Sequence, residues 1–519
     1  MANKGLFKSL VGKLIPQTTA VNEAGGVAYV LSPKQMVAQY ASTGCLNATF
    51  YASAEMQLQT VIDLCGKVEP EFIAKTALYA RTRGYMKDLP ALLVAILATR
   101  SPGLMAEVFD RVMDDGRMLR NFVQMIRSGA TGRKSLGTLP KRMVQQWFEK
   151  RTDEQIFRAS VGNDPSLADV IKMVHPKPGT DSRQALYGYL IGRAYDALLL
   201  PEIVKQYEAF KAGVASATSQ PDVPFQMLTA LPLQREHWID IARHAPWQMT
   251  RMNLNTFARH GVFEADDMAG LIGRRLKDAS LIAKAKVFPY QLMTAYVQAD
   301  AGVPLYVREC LQDAMEIATQ NVPAVDGAVY IFCDVSGSMR APVTGHRPGA
   351  TTAVRCVDVA ALVAACVIRR NPQATVIPFE QDVVKLSLNP RDSIMTNAQR
   401  LASVGGGGTN CSAPLMAINS AKHHADLVIY VSDNESWVDS GRGRGTATMQ
   451  QWSRLKQRCP KAKMVCIDIQ PYGSTQAQES PDILNIGGFS DQVFEVISLF
   501  ARGELGADHW VGVIEQERL

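Results

Sequence analysis

The hydrophobic period of this chain changes once, near Asn321, and no single fold satisfies both halves. From about Pro33 to Asn321, apolar residues recur at i, i+3 and i+4 in short stretches divided by Gly, Pro and polar breaks, and β-rich runs are few. That spacing lays an apolar stripe along one side of a helix. It predicts helices over Phe72 to Arg81, Leu92 to Thr99, Ala106 to Val112, Met143 to Lys150, Arg183 to Leu199 and Tyr290 to Ala299. About 290 residues of such elements exceed one compact bundle, so the economical architecture is a solenoid of helix pairs, each covering its neighbour's apolar face. No strict repeat unit is visible, which favours a HEAT-like array of degenerate units.

Beyond Asn321 strand, loop and helix alternate. Gly327 to Cys333 is an apolar run of strand length, followed by a helical stretch from Val354 to Arg369 and strands at Ala374 to Phe379 and Val383 to Leu386. A helix around Pro414 to His424, the strand Leu427 to Ser432, a helix near Met449 to Arg458, the strand Lys463 to Ile469 and a helix near Asp491 to Ala501 complete the pattern. Apolar strands separated by helices predict a doubly wound α/β domain. The expected division is therefore a helical domain over residues 1–322 and an α/β domain over residues 323–519. Folds of the second kind bind ligands at the carboxyl ends of their strands.

A chain of 519 residues implies two or more domains, and 47% hydrophobic with 20% charged residues fits a soluble globular protein. The strongest apolar run, Leu89 to Ala98, is about half the ~20 residues that a membrane helix needs. The opening MANKGLFKSLVGKL builds neither an uninterrupted apolar region nor a small-residue cleavage site. The nine cysteines are scattered and never form a C-x-x-C pair, which argues against a disulfide framework or a zinc knuckle and suits a reducing compartment. A cytoplasmic location and no membrane association are expected. The net charge of +6 is unevenly spread: residues 1–320 hold 37 Lys+Arg against 30 Asp+Glu, and the remainder 18 against 19.

Directly after the first predicted α/β strand comes Asp334-Val-Ser336-Gly-Ser338-Met339, one carboxylate and two hydroxyls on a single tight loop. Hard divalent cations take oxygen ligands, and Mg²⁺ keeps some of its waters. Thr409, after Gly405 to Gly408, and Asp433, after the strand Leu427 to Ser432, sit where the fold would bring them to the same edge. Glycines there let the loop backbone approach closely. As an isolated string, Asp-x-Ser-x-Ser serves equally as a turn or helix cap; the strand before it, the glycine loop and the second strand-end aspartate favour a metal site. Catalysis has less support. No Gly-Lys-Ser/Thr follows the glycines, an aspartyl nucleophile would want a second aspartate where Ser336 stands, and no histidine can be assigned as base to Ser336 or Ser338, since His346, His423 and His424 read as surface residues. The expectation is a protein that is not an enzyme.

Between Asp115 and Glu149 there is no acid, yet Arg117, Arg120, Arg127, Arg133, Lys134, Lys141 and Arg142 fall there. Uncompensated cations suit a phosphate-binding face, and equally a solvated helix surface. Lys172-Met-Val-His175-Pro-Lys177 adds further basic groups at a proline bend, although a lone histidine is more often a turn residue. Aromatics are only 7%, and neither an aromatic RNA-reading strand nor a G-x-x-G clamp is evident, so binding led by backbone and shape is the better expectation.

The metal constellation resembles that of a von Willebrand A domain. Together with Ser128 to Arg142, Ile171 to Pro178, Met227 to Pro232, Phe288 to Ala295, Gly407 to Asn410 and Ser432 to Ser436, it makes the chain similar to the Ro autoantigen (TROVE) family over most of its length, in the bacterial form. The resemblance implies a closed ring of HEAT-like helix pairs joined by a von Willebrand A domain with a metal-ion-dependent adhesion site. It also implies a non-catalytic ribonucleoprotein, one ring per RNA, that binds small noncoding Y RNA on a basic outer surface and single-stranded 3′ ends of misfolded RNA in a central hole. RNA quality control with a 3′-to-5′ exoribonuclease such as polynucleotide phosphorylase would follow. Residue by residue, His175 matches the family's RNA-contacting histidine and Arg158 a basic position upstream, while a further basic position between them is Gly162 or a neighbour here. Asp334, Ser336, Ser338, Thr409 and Asp433 match the metal positions. The rival expectation is a metal-dependent protein-docking adaptor with no RNA role.

Overall fold

The computed structural model describes residues 15–519 apart from 44–45, 50, 214–219, 286, 288, 323, 346–353, 438–444, 489–490 and 506–507. The opening segment to residue 14, Cys45, Phe288, His346 and residue 323 of the expected domain boundary therefore lie outside the described residues.

Both periods read from the sequence fold as expected, and the chain divides into two compact units. One comprises residues 68–272, 300–304 and 517–519 and is all helical. Helix Leu89–Arg100 packs against Pro70–Thr82, Pro102–Val112 and Gly116–Arg127, Pro102–Val112 packs in turn on Pro70–Thr82 and Thr138–Glu149, and Leu167–Val174 packs against Gly116–Arg127 and Thr138–Glu149. Gly116–Arg127 shows the rule: Met118, Leu119, Phe122, Val123 and Ile126 are buried at helical spacing, and Asp115 caps the first turn through Met118 N. Leu89–Arg100 is buried nearly all round and lies at the centre of this array. Arg183 to Leu199 is not one helix. It ends at Ile191, where Gly192 adopts φ +71°, and resumes as a single turn at Ala197–Leu199. No helix among the described residues is long and apolar enough to cross a membrane.

The other unit comprises residues up to 67 together with 273–299 and 305–516. Its sheet runs β4 (Thr375–Phe379), β3 (Val329–Asp334), β5 (Leu427–Ser432), β6 (Lys463–Asp468) and β8 (Ile483–Gly487), all parallel. On one face Phe332, Phe379, Val428, Tyr430, Met464 and Cys466 pack with Leu415, Ile418, Met449, Trp452 and Leu455 of helices Ala413–Ser420 and Ala447–Arg458. Strand alternation sends Ile331, Cys333, Ile429 and Val431 to the other face, where helix Cys356–Arg370 packs on β3 and β5. Val383 to Leu386 is not a strand: it contributes one bridge, Val383 to Phe379.

The N-terminal residues depart most from expectation. Short strands β1 (Ala20–Val21) and β2 (Val27–Val30) pair with each other, and β2 pairs with β7 (Ser474–Thr475), so residues 20–30 join the α/β unit. Helix Pro33–Thr43 packs on β8. The contact-based division thus falls at other places than 322/323. The docking is close: a Cβ on Gly26 would lie 2.0 Å from the Ser436 carbonyl oxygen, while one on Gly66, in helix Ala54–Lys67, would meet nothing within 4 Å. Gly26→Ala is expected to destabilise by about 2 kcal/mol through overpacking, and Gly66→Ala to stabilise by roughly 0.5–1 kcal/mol through helix propensity. Chemical denaturation of the two variants checks this; equal midpoints would show that the N-terminal segment is not docked.

Candidate metal centre and basic clefts

From β3 the chain goes to β4 on one side and then returns to β5 on the other. The connections diverge between β3 and β5, and their carboxyl ends form the crevice where doubly wound sheets bind ligands. Asp334 ends β3 and Asp433 follows β5. In the loop between Asp334 and Met339, Ser336 N donates to Asp334 Oδ1 at 2.9 Å and the Ser336 and Ser338 hydroxyls lie 3.4 Å apart. Ser338 hydrogen-bonds to Asp433. Ser432 Oγ donates to Asp334 Oδ2 at 2.5 Å.

The glycine loop is strapped to this one. Gly337 N donates to Gly407 O at 2.8 Å, Gly407 N to Glu380 Oε2 at 2.7 Å, and Arg340 to Gly405 O at 3.1 Å. Gly405 has φ +77°, and a Cβ there would sit 2.4 Å from Val335 O, so only glycine permits the approach. Thr409 follows, its carbonyl accepting from Ser436 Oγ at 3.3 Å. The five residues expected from the sequence are thus gathered at one strand-end edge, and each is at most 7% exposed.

Burial dominates the electrostatics. It pushes the Asp334 and Asp433 carboxyls above the ordinary range, and their mutual repulsion pushes Asp334 further. Glu435 rises to about 8 through burial and then repulsion from Asp433; Asp468, at the end of β6, rises through burial and then Asp433 and Glu435. Tyr51 hydrogen-bonds to Ser338, and burial followed by the charge of Asp433 pushes its phenol up to about 12, which leaves it a neutral donor. Of these additional residues, only Ser432 and Glu435 had a sequence signal, in the string Ser432 to Ser436. Tyr51 and Asp468 arrive through long-range packing.

Among the described residues no three His, Cys, Asp or Glu side chains converge as a metal cage. A cation here would rest on Asp334, Asp433 and neutral hydroxyls. That donor set is all oxygen and suits a hard cation that retains water.

The basic stretch divides between two clefts of the helical unit. Arg127, Lys134, Lys141 and Arg142 line a cleft of about 660 Å³ with Thr138, Gln145 and Met173, and no acid lines it. Gln145 donates to Val174 O at 2.6 Å, which places the exposed end of helix Leu167–Val174 beside it, with Lys172 exposed and His175 exposed in a left-handed cap (φ +49°). Arg117, Arg120 and Arg158 line a second cleft of about 810 Å³ with Lys87 and Arg151, but also Asp114, Asp115 and Asp164. Three of the expected RNA-contacting residues have structural partners. Arg120 is 9% exposed, with its guanidinium donating to Ala159 O and Val161 O and lying against Gly162. Arg133 donates to Ala98 O at 2.8 Å, near the carboxyl end of helix Leu89–Arg100. Arg158 pairs with Asp222 at 2.6 Å.

The buried carboxylates at this edge carry a pH dependence. A carboxyl whose folded pKa is raised binds more protons folded than unfolded, so stability falls as pH rises from the unfolded value toward the folded one. For Glu435 that window runs from 4.5 to about 8. Without divalent ions the thermal midpoint is expected to fall between pH 5 and pH 8, and Mg²⁺ to raise it more at pH 8 than at pH 5. A Mg²⁺ effect that is equal at both pH values would contradict this.

Residues 329–501 match the family model of the Ro60 von Willebrand A domain. Over 542 aligned residues, covering 97% of this chain and all of the relative, the sequence is 24% identical to the RNA-binding protein RO60 of Deinococcus radiodurans. The crystal structure of the Ro (RSR) protein from the same organism superposes with a TM-score of 0.65 at 20% identity, over 91% of this chain and all of that one. A helix-rich region precedes a parallel-stranded von Willebrand A domain, in the order this relationship requires. Residues 329–501 thus fit the Ro60 von Willebrand A family model, and the chain as a whole is similar in sequence and in fold to the Deinococcus Ro protein.

Proposed function

We propose that this protein is a non-catalytic RNA-binding scaffold. The observation that carries the proposal is the acid-free cleft of Arg127, Lys134, Lys141 and Arg142 beside Lys172 and His175. Four cations in a cleft lined by no carboxylate, with Asp169 facing only Arg127 and Lys172 from outside it, attract phosphates and make binding salt-dependent. Thr138 adds a neutral hydroxyl of the kind that fixes a backbone in register. The second cleft, with three acids among its cations, is the weaker phosphate site, where Arg117 and Lys87 supplement the first. A Deinococcus relative named as an RNA-binding protein supports the reading.

In finer detail, the ligand on the basic surface is a small noncoding Y RNA, and single-stranded 3′ ends of misfolded RNA enter the centre of a ring of helix pairs. A 3′-to-5′ exoribonuclease such as polynucleotide phosphorylase is the working partner, and the cytoplasm is the place of action. Asp334, Ser336, Ser338, Thr409 and Asp433 hold Mg²⁺, which supplies a positive centre for an acidic group or anion from outside. The protein's own residues there fix two carboxylates and orient two hydroxyls. RNA binding and metal binding are separable functions on this reading.

Arg127, Lys134, Lys141 and Arg142 changed together to Glu is expected to abolish RNA binding in a gel-shift assay. The wild-type dependence of log K on log salt should exceed by about 3 the slope of the corresponding alanine variant. Asp334→Ala is expected to lose Mg²⁺ and keep RNA. Unchanged RNA binding in the charge-reversed protein at several salt concentrations would overturn the cleft assignment. EDTA-sensitive capture of a protein, with no RNA in the purified material, would favour the docking-adaptor reading instead.

A further inference from the structure

At the amino end of the same sheet, opposite Asp334, three side chains form a relay with no role in metal or RNA binding. Cys459 Sγ lies 3.3 Å from His424 Nδ1, His424 Nε2 lies 2.9 Å from Asp426 Oδ1, and Asp426 Oδ2 accepts from Ala328 N at 2.8 Å. Each member is fixed by a different element. Asp426 immediately precedes β5, and its carbonyl accepts from Lys463 N at 2.9 Å. Cys459 caps helix Ala447–Arg458, its N–H donating to Leu455 O. Gly327 has φ +96°, and a Cβ there would lie 2.4 Å from Asp426 Oδ2, so the carboxylate can take this place only beside glycine.

A thiol within reach of an imidazole, itself oriented by a carboxylate, is the arrangement that activates a nucleophile. The Ala328 N–H, and to a lesser degree His424, hold Asp426 below the usual carboxylate range, so it stays a charged acceptor. His424 then donates from Nε2 and presents the Nδ1 lone pair to the thiol. As the sulfur attacks, its proton passes to Nδ1 and Asp426 steadies the resulting imidazolium; the carboxyl end of the helix gives a thiolate at Cys459 no help, so the imidazole carries the activation. Cys333 and Cys466 provide the contrast. Both are fully buried and have carboxylates as charged neighbours, which hold them as thiols.

We propose that Cys459 is a reactive thiol, activated by His424 and Asp426, whose substrate is a small hydroperoxide. The thiolate sulfur attacks one peroxide oxygen; the S–O bond forms as the O–O bond breaks, and sulfur gives two electrons to the peroxide. The departing hydroxide takes the proton from the His424 imidazolium and leaves as water, so Cys–SH and H₂O₂ become Cys–SOH and H₂O. Cys459 is 2% exposed, but the His424 side chain beside it is 64% exposed. The approach to the sulfur therefore runs along the exposed imidazole, with the ring held in place by Asp426, and it suits a reagent of peroxide size and not a larger one.

The test treats the full-length reduced protein with one equivalent of H₂O₂, traps sulfenic acid with dimedone and reads each cysteine by peptide mass spectrometry. Cys459 is expected to acquire the adduct at least ten times faster than Cys333 or Cys466. His424→Gln should slow Cys459 at least tenfold while leaving the thermal midpoint and the other cysteines unchanged. The proposal is overturned by a Cys459 rate equal to that of Cys466. A His424→Gln rate at or above wild type also overturns it, because the imidazole would then only shield the sulfur.

Discussion

Two carboxylates buried side by side, Asp334 and Asp433, are the constraint around which the α/β unit is built. Water is excluded from both, and like charges at such proximity persist only with protons or a cation between them. The surroundings are arranged to keep them there. Parallel strands β3 and β5 fix the two backbones in register, with Cys333 opposite Val431, and Ser432 and Ser338 each give one carboxylate a hydroxyl. The glycine loop closes over Val335 because it carries no side chain at Gly405. Asn22, Ala24 and Tyr51 add a further layer: Asn22 donates to Ser436 O, Ala24 N to Glu435, and Tyr51 reaches Ser338. Loss of any one of these contacts would let water reach the pair and weaken the reason for burying it.

The helical unit answers to a different constraint, the distribution of charge. Its helices bury apolar stripes on one another and leave Lys and Arg at the margins. Between Asp115 and Glu149 the sequence supplies cations and no acids. The fold sorts those cations by work. Arg120 and Arg133 satisfy carbonyl oxygens at loop and helix ends, a structural use that leaves little of their charge for a ligand. Arg127, Lys134, Lys141 and Arg142 face a common cleft and remain available to an anion.

Much of this was legible in the sequence because the signals are local. β5 follows from six consecutive apolar or hydroxyl residues, Leu427 to Ser432, and the strand-end cluster of oxygen-bearing side chains from a carboxylate or hydroxyl placed directly after a strand. The helix at Arg183 was read too long because its apolar pattern continues past Gly192, where a left-handed residue ends it. What local pattern could not show is which segments meet. β1, β2 and β7 are two to four residues long; β1 pairs locally with β2, and β2 joins β7 only across more than 400 positions. Tyr51 and Asp468 acquire their roles in the same way. His424 was correctly read as exposed, yet its pairing with Cys459 spans 35 residues and has no motif. Likewise, nothing in the composition distinguished the cations that cap carbonyls from those that remain available.

The central claim, that RNA lies along the acid-free cleft, is tested most directly by ultraviolet crosslinking of RNA copurified with the full-length protein, followed by mass-spectrometric mapping of the modified peptides. The account predicts crosslinks concentrated in peptides spanning residues 127–145 and 172–177. Crosslinks confined to residues 329–501, or none above background with RNA present, would contradict it.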